Sequence, residues 1–508
     1  MCAAEIVTAP LQERSIEGAV TNRMTQDMPQ HLNVIGGVRM AASGGAYYSI
    51  RNPARPGECL GEFANSTPAD ADAALGASEA AAPTWAATPG PQRGALLFRF
   101  AELLEASKGE LARIITLEQG KALGESMGEV GRAAAEARFM AGEASRPVGL
   151  SFPSERPGSS CYTVAEPLGI VATICPWNFP VVTPVRKIAP ALAWGNCVVF
   201  KPASLTPWSA VFLMQLLERA GVPPGVVNLV TGAGSVVGDA LIQDARVHGI
   251  SFTGSTRVGT HVYETAARRL ARVQLELGGK NPAVVVDCDD LDNAAREIVG
   301  AAFLCSGQRC TALSRVIVSD AQAEALIERI VTHVNRIQVG NGLEPGITMG
   351  PLVSEGQFLT VAEYVRRGVA AGCEVLTGGR ALTENPQQDG YYYAPTVFDH
   401  VGADSPLALE EIFGPVLPIL RVRDFDEAIA VANSTRYGLA ASLFTSRASL
   451  IDEFTRRVEA GMIHVNHGTA SQAHVPFGGV KDSGQGAYSI GPTAREFFTN
   501  VKAIYVRW

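Results

Sequence analysis

Two stretches of the chain carry residue types that could perform covalent chemistry together. The run Gly307-Gln308-Arg309-Cys310 places a cysteine beside a permanent cation, and Glu276 opens a second run that continues Leu277-Gly278-Gly279-Lys280. A thiol has an ordinary pKa of about 8.5 and becomes a nucleophile where a base or a cationic setting ionises it. Cys310 is therefore our candidate nucleophile, and we expect it to react as a thiolate. Most cysteines are buried structural residues, so Cys310 alone does not establish an active site.

Composition limits the classes of function that the chain can have. Its 508 residues predict two or more domains, and its formal net charge of -8 favours neither nucleic acid nor an anionic membrane surface as a partner. The nine scattered cysteines lack Cys-x-x-Cys spacing, which predicts a reduced, cytoplasmic chain. We expect residues 1–31 to form a flexible arm rather than a signal peptide, and we find no apolar run long enough to span a membrane.

Short β-rich runs alternate with helical patterns through most of the chain, which predicts an α/β protein. Five runs have helical patterns of crossover length between them and favour a doubly wound parallel sheet: 170–175, 197–200, 226–230, 249–252 and 273–277. The helical section before them, from about 67 to 144, has apolar residues at helical spacing, which we interpret as core rather than a binding face. A second alternation after residue 283 predicts a second α/β domain with Cys310 near its junction with the first.

Residues suited to binding a ligand follow the ends of these runs. The first run precedes Pro176-Trp177-Asn178-Phe179-Pro180, the second precedes Lys201-Pro202-Ala203-Ser204, and the fourth precedes Thr253-Gly254-Ser255. Ligands of parallel sheets bind at the carboxyl ends of strands, and a glycine before a helix lets backbone amides approach a phosphate. The chain has no G-x-G-x-x-G motif, and single pairs such as Gly234 with Gly238 are weak signals. The placement of several such motifs at successive strand ends is a stronger signal.

Residues 151–165 break the helical pattern and predict a hairpin, and residues 496–506 resume strand character. We expect this terminal strand to pair either with the hairpin or with the sheet edge of another chain.

Seven motifs follow one another along the chain: Pro176-Trp177-Asn178-Phe179-Pro180, Lys201-Pro202, Phe252-Thr253-Gly254-Ser255, Glu276-Leu277-Gly278-Gly279-Lys280, Gly307-Gln308-Arg309-Cys310, Glu411-Ile412-Phe413-Gly414-Pro415-Val416 and Pro476-Phe477-Gly478-Gly479. In this order they resemble the motifs of the aldehyde dehydrogenase superfamily. The resemblance covers residues 32–508 and implies a non-acylating enzyme that oxidises an aldehyde with NAD or NADP.

The resemblance implies three catalytic residues. Cys310 would attack the aldehyde, and the side-chain amide of Asn178 would join the Cys310 backbone N–H in an oxyanion hole. Glu276 would be the general base that activates water to hydrolyse the thioester. From residue chemistry alone, Asn178 would be a turn residue and Glu276 a solvated carboxylate at a strand end.

The resemblance also implies the coenzyme contacts. Lys201 would hold the adenosine ribose, Ser255 the pyrophosphate, and Glu411 and Phe413 the nicotinamide ribose and ring. Ser204 stands where NAD-preferring members usually carry a glutamate, so we expect NADP to be accepted. The other predicted coenzyme positions are Ile174, Pro176, Trp177, Gly234, Gly238, Phe252, Gly254, Val258, Leu277 and Gly278.

Arg186, eight residues after Asn178, resembles a residue of the substrate tunnel in succinate-semialdehyde dehydrogenases. Its planar fork matches a carboxylate, so we expect an anionic aldehyde such as succinate or 2-oxoglutarate semialdehyde. Ser471, Arg309 and Phe477 are the other predicted substrate contacts. Leu304 replaces the second arginine of those enzymes, which leaves the chain length of the acid open. The alternative for Arg186 is an outward-facing surface ion pair.

The resemblance further implies the domain organisation and the assembly. We expect the flexible arm (1–31), a dinucleotide-binding domain (32–148 and 167–277), a catalytic domain (278–484) and a small β oligomerisation element (149–166 and 485–508). The exposed strand edges of that element predict a homodimer or a dimer of dimers, which is a homotetramer.

Several features limit the resemblance or leave other functions open. Ala487-Tyr488 replaces the Arg-Glu pair that family members often carry, so any supporting role of that glutamate is in doubt here. The spacing of His464, His467 and His474 fits no common zinc pattern, and we predict no metal. The alternatives are a CoA-acylating enzyme, against which Glu276 argues, a broad-specificity enzyme for neutral or aromatic aldehydes, a cofactor-independent cysteine hydrolase and a catalytically silent binding protein.

Overall fold

The computed structural model describes residues 29–146, 149–384, 387 and 389–508. The predicted N-terminal arm lies outside the described residues except for 29–31. The strands are β1 Gln30–His31, β2 Asn33–Ile35, β3 Val38–Met40, β4 Tyr47–Asn52, β5 Arg55–Ala64, β6 Ser151–Phe152, β7 Ser159–Pro167, β8 Ile170–Ile174, β9 Cys197–Lys201, β10 Val227–Leu229, β11 Val247–Thr253, β12 Arg272–Glu276, β13 Asn281–Val285, β14 Leu313–Ser319, β15 Glu374–Thr377, β16 Thr396–Asp399, β17 Val416–Val422, β18 Tyr437–Gly438, β19 Ala440–Phe444, β20 Met462–Val465, β21 Val480–Lys481, β22 Gly484–Gln485 and β23 Thr499–Arg507.

The helices connect these strands and cover the sheets. They are α1 Pro68–Ala87, α2 Gly90–Ala106, α3 Lys108–Gln119, α4 Leu123–Glu143, α5 Val182–Ala193, α6 Trp208–Ala220, α7 Asp239–Gln243, α8 Thr256–Ala267, α9 Leu291–Phe303, α10 Asp320–Val334, α11 Glu355–Ala370, α12 Pro406–Leu409, α13 Phe425–Asn433, α14 Ala448–Arg457 and α15 Ala494–Phe498. None of the helices in the described ranges has the length and apolar character that a membrane crossing requires.

The first sheet has the order β22-β12-β11-β8-β9-β10-β2-β3. Its five central strands, β12 to β10, are parallel, which confirms the predicted parallel core. Every residue of β8, β9 and β10 is buried, as expected for strands covered by helices on both faces. The short outer strands β22 and β2 are antiparallel to their neighbours and extend the sheet at its two ends.

The second sheet has the order β15-β16-β17-β14-β13-β19-β20 and is parallel except for β15. It confirms the predicted second α/β unit. Helices α9 and α10 pack against β14 on one side, and the loop that carries Cys310 connects α9 to β14. That loop therefore enters the second sheet at the amino end of β14.

The third sheet is antiparallel, with the order β23-β7-β6. Along its whole length β23 pairs with β7, from Thr499 opposite Pro167 to Arg507 opposite Ser159, so the terminal strand pairs with the predicted hairpin of its own chain. The predicted strand at 496–498 is wrong, because these residues belong to α15. Phe497 and Phe498 are almost fully buried in the apolar core beside the first sheet, because the helical turn directs both rings inward.

Candidate active site

The carboxyl ends of the first sheet's strands align the predicted ligand-binding positions. Ile174 lies opposite Lys201 on one side and Phe252 on the other, and Thr253 lies opposite Glu276. Beyond this edge lies a cavity of about 510 Å³, a volume that suits a small-molecule ligand. The sheet edge and the Cys310 loop therefore face one another across this cavity.

The cavity brings together many of the predicted site residues and leaves others outside. Its lining includes Pro176, Trp177, Asn178, Arg186, Gly254, Ser255, Glu276, Leu277, Gly278, Arg309, Cys310, Glu411, Phe413, Ser471 and Phe477. Outside it, along the same sheet edge and the following turns, lie Ile174, Lys201, Ser204, Gly234, Gly238, Phe252 and Val258. The predicted catalytic and substrate residues therefore share one cavity, and these seven predicted coenzyme positions, Lys201 among them, lie outside its lining.

A left-handed turn presents Cys310 to the cavity. Cys305 and Ser306 both have φ of 56°, and Gly307 follows with φ of 70°. A Cβ on Gly307 would lie 2.2 Å from the carbonyl oxygen of Gly414, so only glycine fits there. Gln308 then fixes the loop, because its Oε1 accepts from the Val353 amide at 3.0 Å and its Nε2 donates to the Cys305 carbonyl at 3.1 Å.

The electrostatic setting of Cys310 differs from our expectation of a ready thiolate. Burial, followed by the carboxylates of Glu411 and Glu276, raises the pKa of the Cys310 thiol to about 12. Arg186 and Arg309 offset only part of this effect. The adjacent cation is therefore insufficient by itself, and ionising Cys310 requires a nearby base.

Asn178 is held on two sides beside Cys310. Its side-chain Nδ2 donates to the carbonyl of Gln308 at 3.0 Å, and its main-chain carbonyl accepts from Nζ of Lys121 at 2.6 Å. An amide nitrogen has two hydrogens, so one N–H of Asn178 remains available to the cavity. This arrangement suits a donor aimed at a developing oxyanion.

Glu276 ends β12 at the cavity and is 5% exposed. Burial raises its pKa to about 7, against the opposing effects of Lys187, Arg186 and Ser489. Its Oε2 has no hydrogen-bond partner among the described residues. A carboxylate with a pKa near neutrality and a free oxygen is suited to accept a proton from water.

Lys201, which is predicted to hold the adenosine ribose, forms a small cluster with other predicted coenzyme positions. A Cβ on Gly238 would lie 3.8 Å from Cδ of Lys201 and 4.0 Å from Cδ1 of Ile174, so these three residues are neighbours. Gly234 and Gly238 bound a single π-helical turn before α7. Burial lowers the pKa of Lys201 to about 8, and its Nζ donates to the carbonyl of Pro202.

Ser204 lies beside that cluster with its hydroxyl already engaged. Its Oγ donates to the carbonyl of Gly232 at 2.8 Å. In this geometry the hydroxyl has no hydrogen left to donate to the 2'-phosphate of NADP and can only accept. The basis for accepting NADP is therefore the missing carboxylate rather than a new hydrogen bond.

A cradle for a dinucleotide surrounds the start of α8. Ser255 caps this helix, its Oγ accepting from the Val258 amide at 3.4 Å, and the helix N-terminus offers backbone amides to a phosphate. A Cβ on Gly254 would lie 2.6 Å from the ring of Phe252, so the close approach of these residues requires glycine. The chemistry of this segment fits a pyrophosphate.

The opposite wall of the cradle comes from the second unit. Oε1 of Glu411 accepts from the Gly279 amide at 2.9 Å, and a Cβ on Gly278 would lie 2.3 Å from its other oxygen. The ring of Phe413 meets that of Trp177 edge to face at 5.4 Å. These contacts join both halves of the cavity where the nicotinamide end of a coenzyme is predicted.

Arg186 points into the cavity wall but its fork is occupied. Its Nε and Nη2 donate to the two carboxylate oxygens of Glu136 at 3.1 and 2.8 Å, and its guanidinium lies 4.3 Å from the centre of the Phe477 ring. The alternative of an outward surface ion pair is wrong, because Arg186 and Glu136 are both buried. Our expectation that the whole fork is free for a substrate also needs correction.

Arg132 is a cavity residue that sequence reasoning missed. Its Nε lies 3.5 Å from Glu136, and its Nη2 donates to Oγ of Ser471 at 2.9 Å. The charged residues Glu125, Glu129, Arg132 and Glu136 follow one another at spacings of four, three and four, which places them on one face of α4. This charged stripe is the feature of the sequence that could have identified Arg132. It corrects our interpretation of the helical section from about 67 to 144 as core alone.

Arg309 lies between the nucleophile and the loop that carries Ser471. Its Nη2 donates to Oγ1 of Thr311 at 3.2 Å and to the carbonyl of Thr469 at 3.4 Å. Burial lowers the pKa of Arg309, with opposing effects of Cys305, Cys310 and Glu125. Its charge thus lies within the cavity wall beside Cys310.

One enzyme family accounts for the sequence motifs and for this geometry. Residues 40–504 match the aldehyde dehydrogenase family. The chain belongs to this family. Membership confirms the predicted fold and enzyme class, namely an NAD(P)-dependent oxidoreductase that acts on an aldehyde. The hypotheses of a cofactor-independent hydrolase and of a silent binding protein do not fit it.

Similar proteins within the family include semialdehyde dehydrogenases. The chain is 38% identical over 478 residues to the alpha-ketoglutaric semialdehyde dehydrogenase of Bacillus subtilis (strain 168), covering 94% of this chain and 98% of that protein. It is 42% identical over 470 residues to the 2,5-dioxopentanoate dehydrogenase of Saccharolobus solfataricus, covering 92% and 97%. The crystal structure of an E. coli NADP dependent enzyme has a TM-score of 0.91 at 34% identity, covering 94% of this chain and 98% of that one.

Proposed function

We propose that this aldehyde dehydrogenase oxidises a semialdehyde that carries a distal carboxylate, and that the product is the corresponding dicarboxylic acid. The observation that carries the proposal is the pair of arginines in the cavity wall that share one glutamate. Arg132 and Arg186 both contact Glu136, so the three side chains together keep one positive charge beside the cavity.

This net charge favours an anionic substrate over a neutral one. Glu136 takes up the Nε and Nη2 side of the Arg186 fork, and Arg132 is more exposed than Arg186 and has donors that Glu136 does not use. Ser471 accepts from Arg132 and keeps its own hydroxyl hydrogen to donate. A guanidinium and a hydroxyl side by side suit a carboxylate, while a neutral aldehyde would leave the positive charge uncompensated.

Cys310 and Asn178 carry the first step of the proposed reaction. A base takes the proton of the Cys310 thiol, and Sγ then forms a bond to the aldehyde carbon while the C=O electrons move to oxygen. The free N–H of Asn178 and the Cys310 amide stabilise the resulting oxyanion of the thiohemiacetal. A nicotinamide coenzyme held beside Cys310 would supply the hydride acceptor that oxidises this thiohemiacetal to a thioester.

Glu276 carries the second step. Its carboxylate takes a proton from water, the hydroxide oxygen bonds to the thioester carbon, and the C–S bond breaks to release the acid and the Cys310 thiolate. The pKa of about 7 makes Glu276 a suitable base near neutral pH. This requirement for a hydrolytic base favours the proposal over the CoA-acylating alternative.

The residues that would hold the coenzyme follow the strand ends. Lys201, Ile174 and Gly238 surround the predicted adenosine position, and Gly254 with Ser255 offers the helix N-terminus to the pyrophosphate. Glu411 and Phe413 would position the nicotinamide ribose and ring. Because Ser204 replaces a carboxylate, the site tolerates the additional charge of NADP, and we infer that both coenzymes are used.

The names of two relatives support a particular substrate. The enzymes from Bacillus subtilis and Saccharolobus solfataricus are named for alpha-ketoglutaric semialdehyde and for 2,5-dioxopentanoate, which are the same compound. This molecule has an aldehyde at one end and a carboxylate at the other. We therefore propose 2-oxoglutarate semialdehyde first and succinate semialdehyde second.

A panel of aldehydes tests the proposal. The kcat/KM values for 2-oxoglutarate semialdehyde, succinate semialdehyde and the neutral butanal are measured with NAD and with NADP from the absorbance of the reduced nicotinamide. We expect the semialdehydes to exceed butanal by about 10-fold or more, since a hydrogen bond to a charged group contributes roughly 1.5 to 3 kcal/mol. Equal values for butanal and the semialdehydes would overturn the proposed substrate class.

We further propose that the protein is a cytoplasmic homodimer or homotetramer assembled through the third sheet. Val501 and Tyr505 on β23 are 75% and 80% exposed, and Leu150 beside β6 is 65% exposed. An apolar surface on a sheet edge favours a second copy as partner. The free thiols of the described cysteines support a reducing compartment. The domain boundaries given above remain predictions.

A further inference from the structure

A buried ion pair lies directly behind the oxyanion position. Lys121 is 1% exposed, and its Nζ donates to Oε2 of Glu129 at 2.8 Å and to the main-chain carbonyl of Asn178 at 2.6 Å. The same ammonium lies 4.0 Å from the centre of the Phe179 ring. The Asn178-Phe179 segment therefore rests on one lysine.

Glu129 holds the other end of this segment. Its Oε1 accepts from the amides of Val181 and Val182 at 2.8 and 3.1 Å, where the chain enters α5. Together Lys121 and Glu129 satisfy one carbonyl and two amides of the loop that follows β8. The loop thus has a fixed path between its strand and its helix.

Lys121 remains charged in this setting. Burial lowers its pKa, but Cys305, Glu129 and Glu125 outweigh that effect and hold the pKa above its ordinary value. Burying an ion pair costs desolvation energy, and well-packed apolar residues are often as stable or more stable in its place. Stability alone therefore does not explain the presence of this ion pair, and its contacts with the Asn178 loop indicate a more specific role.

We propose that Lys121, with Glu129, is a positioning residue that fixes the side-chain amide of Asn178 for the oxyanion. The inference rests on the proposed function, because it assumes that Asn178 stabilises the thiohemiacetal oxygen. Gln308 holds the amide from one side through its carbonyl at 3.0 Å, and Lys121 holds the main chain of the same residue from the other. A fixed donor stabilises developing charge without reorganising, whereas a donor displaced by about 1 Å loses much of its effect.

A double-mutant cycle tests this assignment. The rate of the first burst of reduced coenzyme is measured for Lys121→Met, Asn178→Ala and the double variant. We expect Asn178→Ala to be slower by about 100-fold and Lys121→Met by about 10-fold or more. If Lys121 acts through Asn178, the double variant is no slower than Asn178→Ala, within about twofold. Dissociation constants for the coenzyme, from the quenching of protein fluorescence, stay unchanged.

Arg315 provides a matched control. It is fully buried and donates to the carbonyls of Lys280, Val431 and Ala432, so it is also a buried cation that holds main-chain oxygens. Arg315→Met combined with Asn178→Ala should multiply the two separate effects. A substitution that damages the structure without acting through Asn178 and the oxyanion gives this multiplicative result.

The possible outcomes separate this inference from the proposed function. If Lys121→Met leaves the burst rate unchanged, or if its effect multiplies with that of Asn178→Ala, the positioning role of Lys121 is overturned. If Asn178→Ala itself has a normal burst rate, the oxyanion assignment in the proposed function fails. If Lys121→Met does not fold, the double substitution Lys121→Met/Glu129→Gln takes its place in the same cycle. This variant leaves no unpaired charge, and the side-chain oxygen of the new glutamine still accepts from the Val181 and Val182 amides.

Discussion

Arg186 and Glu136 are joined by two hydrogen bonds, from Nε at 3.1 Å and from Nη2 at 2.8 Å, inside the wall of the cavity that Cys310 lines. The same carboxylate lies 3.5 Å from Nε of Arg132. Arg186 is thus bound to an internal partner through Nε and Nη2, and Arg132, whose side chain is 24% exposed against 10% for Arg186, is the more accessible of the two arginines. This relationship makes the more exposed Arg132 the first candidate for the expected carboxylate contact, with Nη1 of Arg186 beside it.

Replacing Arg132 should weaken recognition of the distal carboxylate. We expect Arg132→Met to raise KM for the semialdehyde by about 10-fold or more and to leave KM for butanal nearly unchanged, because only the charged substrate loses a charge-assisted hydrogen bond. Arg138→Met, at an exposed position of the same helix, is the matched control. Equal changes for both aldehydes would show that Arg132 does not distinguish them. Arg186→Leu is a less specific test, because it leaves buried Glu136 without its bidentate partner.

The two catalytic variants should fail at different steps. Cys310→Ala should abolish aldehyde oxidation, because no thiohemiacetal forms. Glu276→Gln should still give a burst of reduced coenzyme of about one equivalent per site, with steady turnover suppressed, because hydrolysis follows the oxidation. Stopped-flow absorbance of the reduced nicotinamide distinguishes the two. Near-normal turnover of Cys310→Ala would rule out the thioester mechanism.

The pH dependence of hydrolysis should follow Glu276. Its pKa is raised to about 7 and its deprotonated form is the base, so the active form is lost as the pH falls through that value. We expect the thioester hydrolysis rate to rise about tenfold per pH unit below 7 and to level off above it. Quenched-flow measurement of the acyl-enzyme gives this rate, and Glu276→Gln should lack the pH dependence. A flat profile for the unmodified enzyme would contradict the assignment.

The residue at position 204 should control the use of NADP. Ser204→Glu places a carboxylate beside the predicted ribose position, where it repels the 2'-phosphate, so kcat/KM should fall about 10-fold or more with NADP and change little with NAD. Ser204→Ala removes the bond to Gly232 and should leave the ratio between the two coenzymes nearly unchanged. An advantage of NAD of about 100-fold in the unmodified enzyme would show that other residues decide the coenzyme.

Charge on the third sheet should disrupt the assembly. We expect Val501→Asp/Tyr505→Asp to reduce the molar mass in light scattering, because two carboxylates would be buried in the proposed interface. Leu359→Asp, at an exposed position of α11, should leave the mass unchanged. A fully active monomer at micromolar concentration before any substitution would remove the basis for the expected interface.

The central strands were predictable because their residues are apolar on both faces. β8, β9 and β10 are buried throughout, so their sequences are mostly apolar and rich in β-branched residues, and helical patterns separate them. β2 and β22 have three and two residues and find their partners far along the chain. Such short segments have no period of their own, and only the tertiary structure defines them.

The candidate site was predictable where a motif combines several residues in sequence. Asn178, Glu276 and Cys310 belong to such motifs, and the structure places all three on one cavity. Arg132 has no motif around it, and its importance depends on Glu136 and Ser471, which approach it only in the folded protein. The fork of Arg186 was misjudged for the same reason, since its partner lies fifty residues away on another helix.

The strand that pairs beside Glu276, β22, is synthesised late. Glu276 ends β12, and its edge partner Gly484 belongs to β22, which the ribosome makes only after the entire second sheet. Until then β12 keeps an open edge that can pair with other nascent chains. A chain interrupted shortly before β22 retains Cys310, Asn178 and most of the cavity, but β12, the strand that carries Glu276, lacks its edge partner. Ribosome stalling in this interval should therefore yield aggregation-prone, hydrolysis-deficient fragments rather than smaller working enzymes.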